Sequence, residues 1–535
     1  MLAGTLVRTL GLTRANILYA SGGKFYLLLP NTVSVLDALT AFQEKVNLEL
    51  LRKFSGDLYV RFSRTPLSGD DLTRQSGRTL CQIWDELTRK LVIEDRKRYA
   101  GIVSQNYDQL FAISDGDLAT CKVCHCSMAR DGDTCLACST MEEIGRRLGT
   151  ASHLVLSETQ QASLGRPALQ VCERYVYLLD QEPEAISGEH VQVLALNATG
   201  FSNLAIEFAQ RGVLLDCTPF LVGSTHKFDS TFDEIAQRSR GVKRLGILRM
   251  DVDSLGKIFG EGLQNYRHET IGDTRRFHSL GRITTLSWQL TLFFSGILPR
   301  VIHQADEWRD RVSVVYSGGD DLFLVGAWDA LPGVALEIRR QFARFTCDNP
   351  SFSLSGGLVL TGGKFPIYKS AEMAGETEGQ AKQHETAFPG GKTVKKASLT
   401  FLGTPMHWRE MEEVADRYEQ LVDLLAEPRN EALLRRLQDI AASWETSRAS
   451  LERREALSIE AIQQQLAAEK WRWRMVYALS RFTRDKPELK KEVETLQRFI
   501  TSQVGGTTRQ GIELLGVLAR WCELRMRNEK IKEAV

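Results

Sequence analysis

Four aspartates occupy positions from which carboxylates can meet in the folded chain. Asp251 and Asp253 end the apolar run RLGILRMDVD, and Asp320 and Asp321 lie in the middle of VSVVYSGGDDLFLVG. Side chains two residues apart leave the same face of a strand, and the glycines before Asp320 allow a tight turn that a nucleotide can approach closely. If the two strands pair antiparallel, up to four carboxylates gather at one edge of a sheet. That much negative charge requires a cation.

Hard oxygen ligands suit Mg²⁺ or Mn²⁺, which keep bound waters and bridge to phosphate groups. Two such ions can activate a ribose hydroxyl and stabilise a departing pyrophosphate, and no protein nucleophile is needed. By itself SGGDD is equally typical of an ordinary Gly/Asp hairpin turn, and an isolated DxD pair is more often structural. Their order within a single βαββαβ unit favours a metal-dependent nucleotidyl-transfer site.

A second Ser-Gly-Gly triplet occurs near the start of the chain, in NILYASGGKFYLLLP. Ser21, Gly22 and Gly23 align with the first three residues of SGGDD, and both copies are flanked by apolar runs that predict strands. Lys24 and Phe25 stand where the other copy has its two aspartates. We therefore expect this hairpin to hold no catalytic metal.

Four of the ten cysteines follow the pattern C-x2-C-x10-C-x2-C, at Cys121, Cys124, Cys135 and Cys138. Paired knuckles of this kind are typical of zinc sites, because four thiolates at such spacing can close a tetrahedron around one ion. The alternative is a set of surface cysteines without metal. His125 and Cys126 are near enough to substitute, but each pair already supplies two thiolates. The pattern predicts a structural zinc ion.

The composition is that of an ordinary globular protein, with 43% hydrophobic and 25% charged residues among 535. A chain of this length is expected to form roughly three to five domains. The net charge of +1 neither requires nor excludes nucleic acid. The longest apolar stretch, LSWQLTLFFSGIL, is shorter than the roughly 20 residues of a membrane span, and the N-terminus lacks the features of a signal peptide. We expect a cytoplasmic protein without membrane attachment.

The pattern of elements predicts a multidomain α+β protein with two ferredoxin-like palm domains. Residues 1–115 predict the order helix, hairpin, helix, strand, with the strand at 57–62, which is a palm without its opening strand and without acids. Residues 116–240 predict the zinc-binding insert followed by a mixed α/β connector of short strands.

Residues 241–403 predict a complete palm. A strand at 244–253 precedes a long helix that ends near Leu298, and the SGGDD hairpin follows. A helix, a strand, a second helix and a short strand then complete βαββαβ with additions. Over residues 404–535 apolar residues recur at helical spacing, which predicts an all-α bundle of about five helices with Trp471 and Trp473 in its core.

The second palm carries a specific resemblance. Similarity to the second palm of the large subunit of type III CRISPR effector complexes is found in RLGILRMDVDSLGKIF, RITTLSWQLTLFFSG, YSGGDDLFLVGAWD, LSGGLVL, KFPIYKSAEMAGETEGQAK and SLTFLG. The first palm of that subunit is similar to ILYASGGKFYLLLPN, and the four-cysteine insert lies between the palms as in the Csm-type (III-A) branch. The resemblance extends over nearly the whole chain and is least distinctive in the connector and the bundle.

The resemblance implies that ATP is joined into cyclic oligoadenylates when the complex holds target RNA. Carried over by position, it makes Asp251, Asp320 and Asp321 the catalytic residues and the ligands of Mg²⁺ or Mn²⁺, with Asp253 as a further metal ligand. The palm with aspartates would take the donor ATP, whose α-phosphate meets the metals. The palm without them would take the acceptor, which must only present its 3′-hydroxyl.

The resemblance also implies two nucleotide pockets. Their lining would be Ser317, Gly318 and Gly319 on the donor side and Ser21, Gly22 and Gly23 on the acceptor side. The Gly-rich loop GGKTVKK can hold a triphosphate by charge, although a solvated loop is an equal alternative, and its basic residues are Lys392, Lys395 and Lys396.

The implied partners are guide RNA, target RNA and other type III subunits, among them small helical subunits and the subunit that holds the 5′ tag of the guide. Many family members begin with a histidine-aspartate nuclease domain. None of the nine histidines here is followed by aspartate, so we expect no DNase activity from this polypeptide. A trimmed chain, a misassigned start and a separately encoded nuclease part remain open.

Two other functions also remain open. A diguanylate cyclase shares the palm and an acidic, glycine-rich hairpin, but such enzymes pair two copies of one domain, and the two palms here are unequal. A non-catalytic scaffold would grip guide RNA, target RNA and neighbouring subunits and keep an idle acidic hairpin. Retention of the three aspartates favours the enzyme.

Overall fold

The structure is a computed structural model, and it describes residues 2–21, 23–54, 56, 58–73, 77–110, 120–125, 133–171, 173–187, 191–197, 202–210, 215–223, 230–262, 279–427, 430–451 and 470–527. The chain divides into two compact units. Unit 1 consists of Met1–Lys227, Ser254–Pro299 and Ser317–Asp320, and unit 2 of Phe228–Asp253, Arg300–Tyr316 and Asp321–Val535. The palm predicted at 241–403 therefore contributes residues to both units.

The helices, in chain order, are α1 (Leu2–Thr9), α2 (Val33–Phe54), α3 (Gly69–Thr73), α4 (Leu80–Asp95), α5 (Ala100–Leu110), α6 (Leu136–Leu148), α7 (Ser202–Gln210), α8 (Phe232–Gln237), α9 (Leu255–Glu261), α10 (Leu280–Leu292), α11 (Leu298–Gln304), α12 (Asp306–Arg309), α13 (Leu331–Phe345), α14 (Ile367–Gln383), α15 (Trp408–Leu425), α16 (Glu431–Leu451), α17 (Lys470–Asp485), α18 (Lys490–Thr501) and α19 (Ile512–Met526). The strands are β1 (Ile17–Ser21), β2 (Lys24–Leu27), β3 (His153–Ser157), β4 (Leu169–Val171), β5 (Arg174–Leu179), β6 (Val191–Leu196), β7 (Leu215–Phe220), β8 (Leu245–Val252), β9 (Val312–Gly318), β10 (Asp321–Ala327), β11 (Leu354–Thr361), β12 (Glu385–Ala387), β13 (Thr393–Lys395), β14 (Ser398–Phe401) and β15 (Thr404–His407).

The N-terminal part of unit 1 forms the helix, hairpin and helix that its sequence predicts. Strands β1 and β2 pair antiparallel with Ser21 opposite Lys24, and Gly23 adopts φ +72° in the turn. That left-handed conformation strains residues with a side chain, which explains the glycine. Leu6 of α1 and Val46 of α2 are buried in the core that supports the hairpin.

The strand predicted at 57–62 is wrong for residues 58–62, which have no regular secondary structure, and residue 57 lies outside the described part of the chain. The buried side chain of Asn47 takes the place of a partner strand. Its Nδ2 donates to the carbonyl of Val60 and its Oδ1 accepts from the Val60 N–H, both at 2.7 Å. One amide thus satisfies backbone groups that would otherwise need a ladder. Val60 and Phe62 pack on the core, which accounts for the strand-like alternation.

Helices α9 and α10 follow β8 in the chain but pack within unit 1 beside the first hairpin. The rings of Tyr19 on β1 and Phe259 on α9 meet edge to face, with centroids 6.0 Å apart. Ile283 of α10 shares a buried core with Leu80 and Ile83 of α4. Unit 1 thus combines the acid-free hairpin with helices that the sequence assigns to the second palm.

The connector forms a five-stranded sheet in the order β4-β5-β3-β6-β7. Strands β6 and β7 pair parallel across helix α7, and the other pairs are antiparallel. This sheet confirms the mixed α/β character predicted for the region. Its buried core includes Val155, Tyr177 and Val193.

Unit 2 is built around a six-stranded sheet in the order β15-β14-β11-β8-β10-β9. The segment β11-β8-β10-β9 has the strand order of a βαββαβ ferredoxin-like unit, whose first strand lies between the third and the fourth. This order confirms the complete palm predicted from sequence. Strand β14 pairs parallel with β11, and β15 pairs antiparallel with β14. Because β15 begins at Thr404, the sheet extends past residue 403.

Helix α14 lies against the central strands of this sheet at unusually close range. A Cβ at Gly357 of β11 would lie 2.4 Å from the backbone nitrogen of Glu378 and 2.7 Å from the carbonyl oxygen of Ala374. Only glycine leaves room for a helix backbone at that distance. The second glycine of LSGGLVL therefore determines how closely α14 approaches the sheet.

Helices α15 to α19 form the predicted helical region at the C-terminus. Trp471 of α17 is 3% exposed, as expected for a core residue, but Trp473 is 58% exposed and its assignment to the core was wrong. Residues two apart on a helix point in nearly opposite directions, so one helix cannot bury both against the same neighbours. Within the described part of the chain, each helix is too short or too polar to cross a membrane.

We predict that Asn47→Ala loosens the segment after α2. The substitution leaves the Val60 N–H and carbonyl without their present partner, which should cost about 1 to 3 kcal/mol of local stability. Hydrogen exchange followed by mass spectrometry should show faster exchange over residues 58–62. Gln43→Ala, one turn earlier in α2, is the matched control. Unchanged exchange in Asn47→Ala would contradict the role given to this amide.

Candidate functional site

Two of the four predicted carboxylates lie side by side in unit 2. The antiparallel register of β8 and β10 places Asp251 directly opposite Asp321, and on its other side Asp251 is paired with Ser355 of β11. Burial raises the pKa of Asp321; a hydrogen bond from Tyr316 opposes that rise, and the charge of Asp251 adds to it. The site therefore concentrates negative charge in a partly desolvated position.

Oxygen atoms without partners mark the same place. Asp321 Oδ1 and Ser355 Oγ are buried and have no hydrogen-bond partner among the described residues. A buried carboxylate oxygen is normally satisfied by a donor or a cation. This donor set of hard oxygens fits Mg²⁺ or Mn²⁺ better than a softer metal.

Asp253, which follows the last residue of β8, has a different environment from Asp251 within that strand. Its Oδ2 accepts hydrogen bonds from Ser353 Oγ at 2.6 Å and from the backbone N–H of Ala397 at 3.1 Å. The side chain is 3% exposed. In unit 2 this carboxylate therefore connects the end of β8 to two neighbouring segments by hydrogen bonds. The role of Asp253 as a further metal ligand stays a prediction.

Two charged residues that the sequence reasoning missed complete the site in unit 2. Lys382 of α14 donates to Asp251 Oδ2 and, at 2.6 Å, pairs with Glu378 Oε1. Glu378 is 5% exposed and also pairs with Arg249 Nε at 2.8 Å. Burial by itself would lower the pKa of Lys382, but its bonds to Asp251 and Glu378 outweigh burial and raise the pKa, so the ammonium is charged. The i, i+4 spacing of Glu378 and Lys382 was the available signal.

The start of the SGGDD hairpin belongs to unit 1, where Ser317 is an anchor. The serine is buried, and its Oγ donates to the carbonyl of Phe294 at 2.6 Å. Ser295 Oγ in turn donates to the Ser317 carbonyl at 3.2 Å. Both partners lie in a π-helical turn, Phe293–Ile297, that interrupts the long helix predicted to end near Leu298. Such turns release carbonyl groups from the helical pattern and are frequent at functional sites.

The segment after β7 also contacts this anchor within unit 1. A Cβ at Gly223 would lie 1.7 Å from the carbonyl oxygen of Ser317, so the two backbones are in direct contact. Gly319 has φ +69°, the left-handed conformation of a tight turn. Asp320 follows it within unit 1. The nucleotide contacts predicted for Ser317, Gly318 and Gly319 stay predictions.

The other residues predicted to contact nucleotide lie in the first hairpin and in the loop GGKTVKK, and the structure describes only some of them. Gly22 and the side chain of Ser21 lie outside the described part of the chain. The loop GGKTVKK is the turn and second strand of the hairpin β12–β13. In it Lys395 pairs with Glu385 at 3.1 Å, and Lys396 adopts φ +70° while its N–H donates to the carbonyl of His384. A role for Lys396 in binding triphosphate stays a prediction.

The four cysteines of the predicted zinc site come together in unit 1. Their sulfur atoms all lie within 4.8 Å of one another, and Cys124 Sγ is 3.8 Å from Cys135 Sγ. Corners of a tetrahedron with metal–sulfur bonds of about 2.3 Å are separated by about 3.8 Å. The N–H of Cys124 lowers the pKa of Cys121 to about 6, whereas burial and the neighbouring thiols raise the pKa of Cys138 to about 12. Four thiolates could share so small a volume only with a cation between them, so the geometry of the cluster fits a metal ion.

A βαββαβ sheet with carboxylates opposite each other on its two central strands defines a palm domain of the polymerase and cyclase type. Residues 244–387 match the family model for the second palm domain of Cas10/Cmr2. Residues 1–115 match the model for Csm1 subunit domain B. Two separate parts of the chain therefore match domains of the large, Csm-type subunits of type III CRISPR systems.

Known proteins agree with this assignment. A single-strand-specific deoxyribonuclease Cas10/Csm1 (subtype III-A) of Enterococcus italicus is 30% identical over 399 residues, which are 72% of this chain and 47% of the relative. Crystal structures of a Csm1-Csm4 cassette with one ATP and with cA3 give TM-scores of 0.67 and 0.65 at 21% and 20% identity, and both cover 98% of this chain. The matched regions make up 65% and 64% of the length of the two solved chains. The chain thus spans about half the length of the curated relative it matches.

We predict that Asp321→Asn stabilises the metal-free protein while removing its response to metal. The amide keeps the shape of the side chain but removes a charge that is partly buried and faces Asp251. In EDTA the melting temperature should rise by about 1 to 3 °C. Excess Mn²⁺ should then raise the melting temperature of the wild type more than that of the variant.

Asp416→Asn serves as the control, because Asp416 is an exposed aspartate of α15 in the same unit. It should leave both melting temperatures unchanged. A lower melting temperature of Asp321→Asn in EDTA would show that the Asp321 charge is already compensated within the protein.

Proposed function

We propose that this chain synthesises cyclic oligoadenylates from ATP as part of an RNA-guided type III-A complex, and that target RNA activates it. The observation that carries the proposal is the register of β8 and β10, which sets Asp251 opposite Asp321 in a palm related to that of Cas10/Cmr2. Structures of the same fold that contain ATP or cA3 support the choice of substrate and product class.

In this proposal Asp251, Asp320 and Asp321 hold the divalent cations at the donor ATP. When bound, Mg²⁺ or Mn²⁺ would stabilise the charge that develops on the α-phosphate and the pyrophosphate during an in-line attack. The carboxylates position those ions. Asp321 Oδ1 and Asp253 Oδ1 are both buried without a hydrogen-bond partner among the described residues, so a cation could satisfy either atom. Asp253 contributes mainly by fixing the end of β8 through Ser353 and Ala397.

The two hairpins divide the work between donor and acceptor. The glycines 318 and 319 let the donor approach the backbone, while the buried Ser317 hydroxyl holds the hairpin to the π-helical turn. The first hairpin has Lys24 and Phe25 at the acidic positions, so it would bind the acceptor, together with Ser21, Gly22 and Gly23. Lys396 is a candidate contact for the triphosphate.

The proposed partners follow the assignment to subtype III-A. Solved relatives of the same fold are Csm1-Csm4 assemblies, and we extend this to guide RNA, target RNA, small helical subunits and the subunit that holds the 5′ tag of the guide. A complex of this kind acts in the cytoplasm. The Enterococcus italicus relative is named a deoxyribonuclease, and we assign that activity to none of these 535 residues.

The deciding experiment is mass spectrometry of products from the assembled complex supplied with ATP, Mg²⁺ and target RNA. Cyclic oligoadenylates should form, should require target RNA, and should fall by at least 100-fold in the Asp320→Ala/Asp321→Ala variant, since the donor metals are lost. A parallel reaction with GTP in place of ATP tests whether the protein is a diguanylate cyclase.

The Asp416→Asn variant is a control outside both the metal ligands and the GGKTVKK loop, and it should retain most of the product yield. Cyclic diguanylate as the main product would favour the diguanylate cyclase. Unreacted ATP and GTP together with normal binding of target RNA would overturn the enzymatic proposal and leave a scaffold.

We further propose that the four-cysteine cluster holds one structural Zn²⁺. Elemental analysis of the purified chain should find one zinc ion per molecule, and Cys121→Ser or Cys135→Ser should reduce that value and lower the melting temperature. Cys347 is exposed and outside the cluster, so Cys347→Ser is the control. A wild-type chain purified without zinc would refute the assignment.

A further inference from the structure

A lysine of the chain occupies a cation position at the proposed metal site. Lys382 Nζ contacts Asp251 Oδ2 and, on its other side, Glu378 Oε1 at 2.6 Å. The side chain of Lys382 is 30% exposed. Positive charge is therefore already present at one of the carboxylates that the proposed function assigns to divalent cations.

The fold holds this ammonium in place. Glu378 is buried and paired with Lys382 and with Arg249 Nε, at 2.8 Å to the latter. The backbone of Glu378 lies directly on β11, because Gly357 leaves space for it. Glu378 is fixed by its backbone and by its ion pair with Arg249, and Lys382 is paired with Glu378 as well as with Asp251, so removing Lys382 from the site would break its contact with a buried carboxylate. The position of Lys382 is thus set by α14 and not by a flexible loop.

Two cations of the chain offset part of the negative charge of the site before any ligand arrives. Asp251 and Glu378 face Lys382, Glu378 also faces Arg249, and Asp321 lies within electrostatic reach of both Asp251 and Arg249. A divalent cation that binds at Asp251 would meet an ammonium at short range in a partly desolvated site, where like charges repel more strongly than in water. A triphosphate that enters with the metal brings enough negative charge to offset both.

We propose that Lys382 is an internal counter-ion that makes divalent metal binding depend on nucleotide. It weakens metal binding to the nucleotide-free protein and permits it when the metal arrives with a triphosphate. Lys382 is a positioning residue in this scheme, since it acts through Asp251. The inference rests on the proposed function, because it concerns the same carboxylates.

The test measures Mn²⁺ binding to the full chain by electron paramagnetic resonance, with and without a non-hydrolysable ATP analogue. Asp321→Ala provides the background to subtract. Without nucleotide, Lys382→Met should bind Mn²⁺ at least tenfold more tightly than the wild type. With the analogue present, that advantage should shrink to less than threefold. Lys382→Arg keeps the charge and should bind Mn²⁺ as weakly as the wild type when nucleotide is absent.

Two further variants keep the test decisive. Lys369 is an exposed lysine of the same helix, so Lys369→Met removes one charge without touching the site and should leave Mn²⁺ binding unchanged. Lys382→Gln can still donate to Asp251, and it replaces Lys382→Met if that variant does not fold. A simply structural role for Lys382 would change the melting temperature but not the ratio of the two Mn²⁺ affinities.

The outcomes separate the two claims. If Mn²⁺ binding requires Asp321 and nucleotide, but Lys382→Met and Lys382→Gln bind Mn²⁺ alone no better than the wild type, the counter-ion is overturned and the proposed function stands. If the wild type shows no Asp321-dependent Mn²⁺ binding in either condition, the metal site itself fails and the counter-ion falls with it.

Discussion

The antiparallel pairing of β8 with β10 is the constraint on which the rest of this structure depends. The register sets the carboxylate of Asp251 against that of Asp321. Two acids in adjoining, partly buried positions raise the energy of the folded chain unless positive charge is supplied. The surrounding elements can be understood as the means of supplying it, either from the protein through Lys382 or from a bound divalent ion.

Helix α14 is the element that provides the protein's own charge, and it can do so because glycine permits direct contact between its backbone and β11. At Gly357 any larger residue would push the helix away from the sheet. The same contact buries Glu378, which holds Lys382 on one side and Arg249 on the other. The close packing at Gly357 therefore determines where the charges of α14 lie relative to Asp251.

Much of the palm could be predicted from the sequence, because its signals are local. Strand β8, the SGGDD hairpin and the helices on either side follow from apolar periodicity and turn residues. The cysteine knuckles were equally readable, and the four sulfur atoms do come together. The errors have a common cause. The segment 58–62 alternates like a strand, but Val60 in it forms its hydrogen bonds with the side chain of Asn47 and not with a partner strand. Trp473 is a large hydrophobic residue of the kind common in cores, but it lies on the exposed face of α17. The neighbouring sequence specifies neither the hydrogen-bond partner of segment 58–62 nor the face of α17 that becomes buried.

The sequence alone determined that the chain contains two unequal copies of one hairpin, that only one copy carries acid, and that four cysteines can share a metal. These properties depend on residue types and short spacings. Only the tertiary structure decided that Asp253 bonds to Ser353 and Ala397, that Ser317 anchors its hairpin to a π-helical turn, and that Lys382 reaches Asp251 across 131 positions of sequence. Contacts between distant residues depend on how helices pack on the sheet, and packing at that range is set by the whole fold and not by any one stretch of the chain.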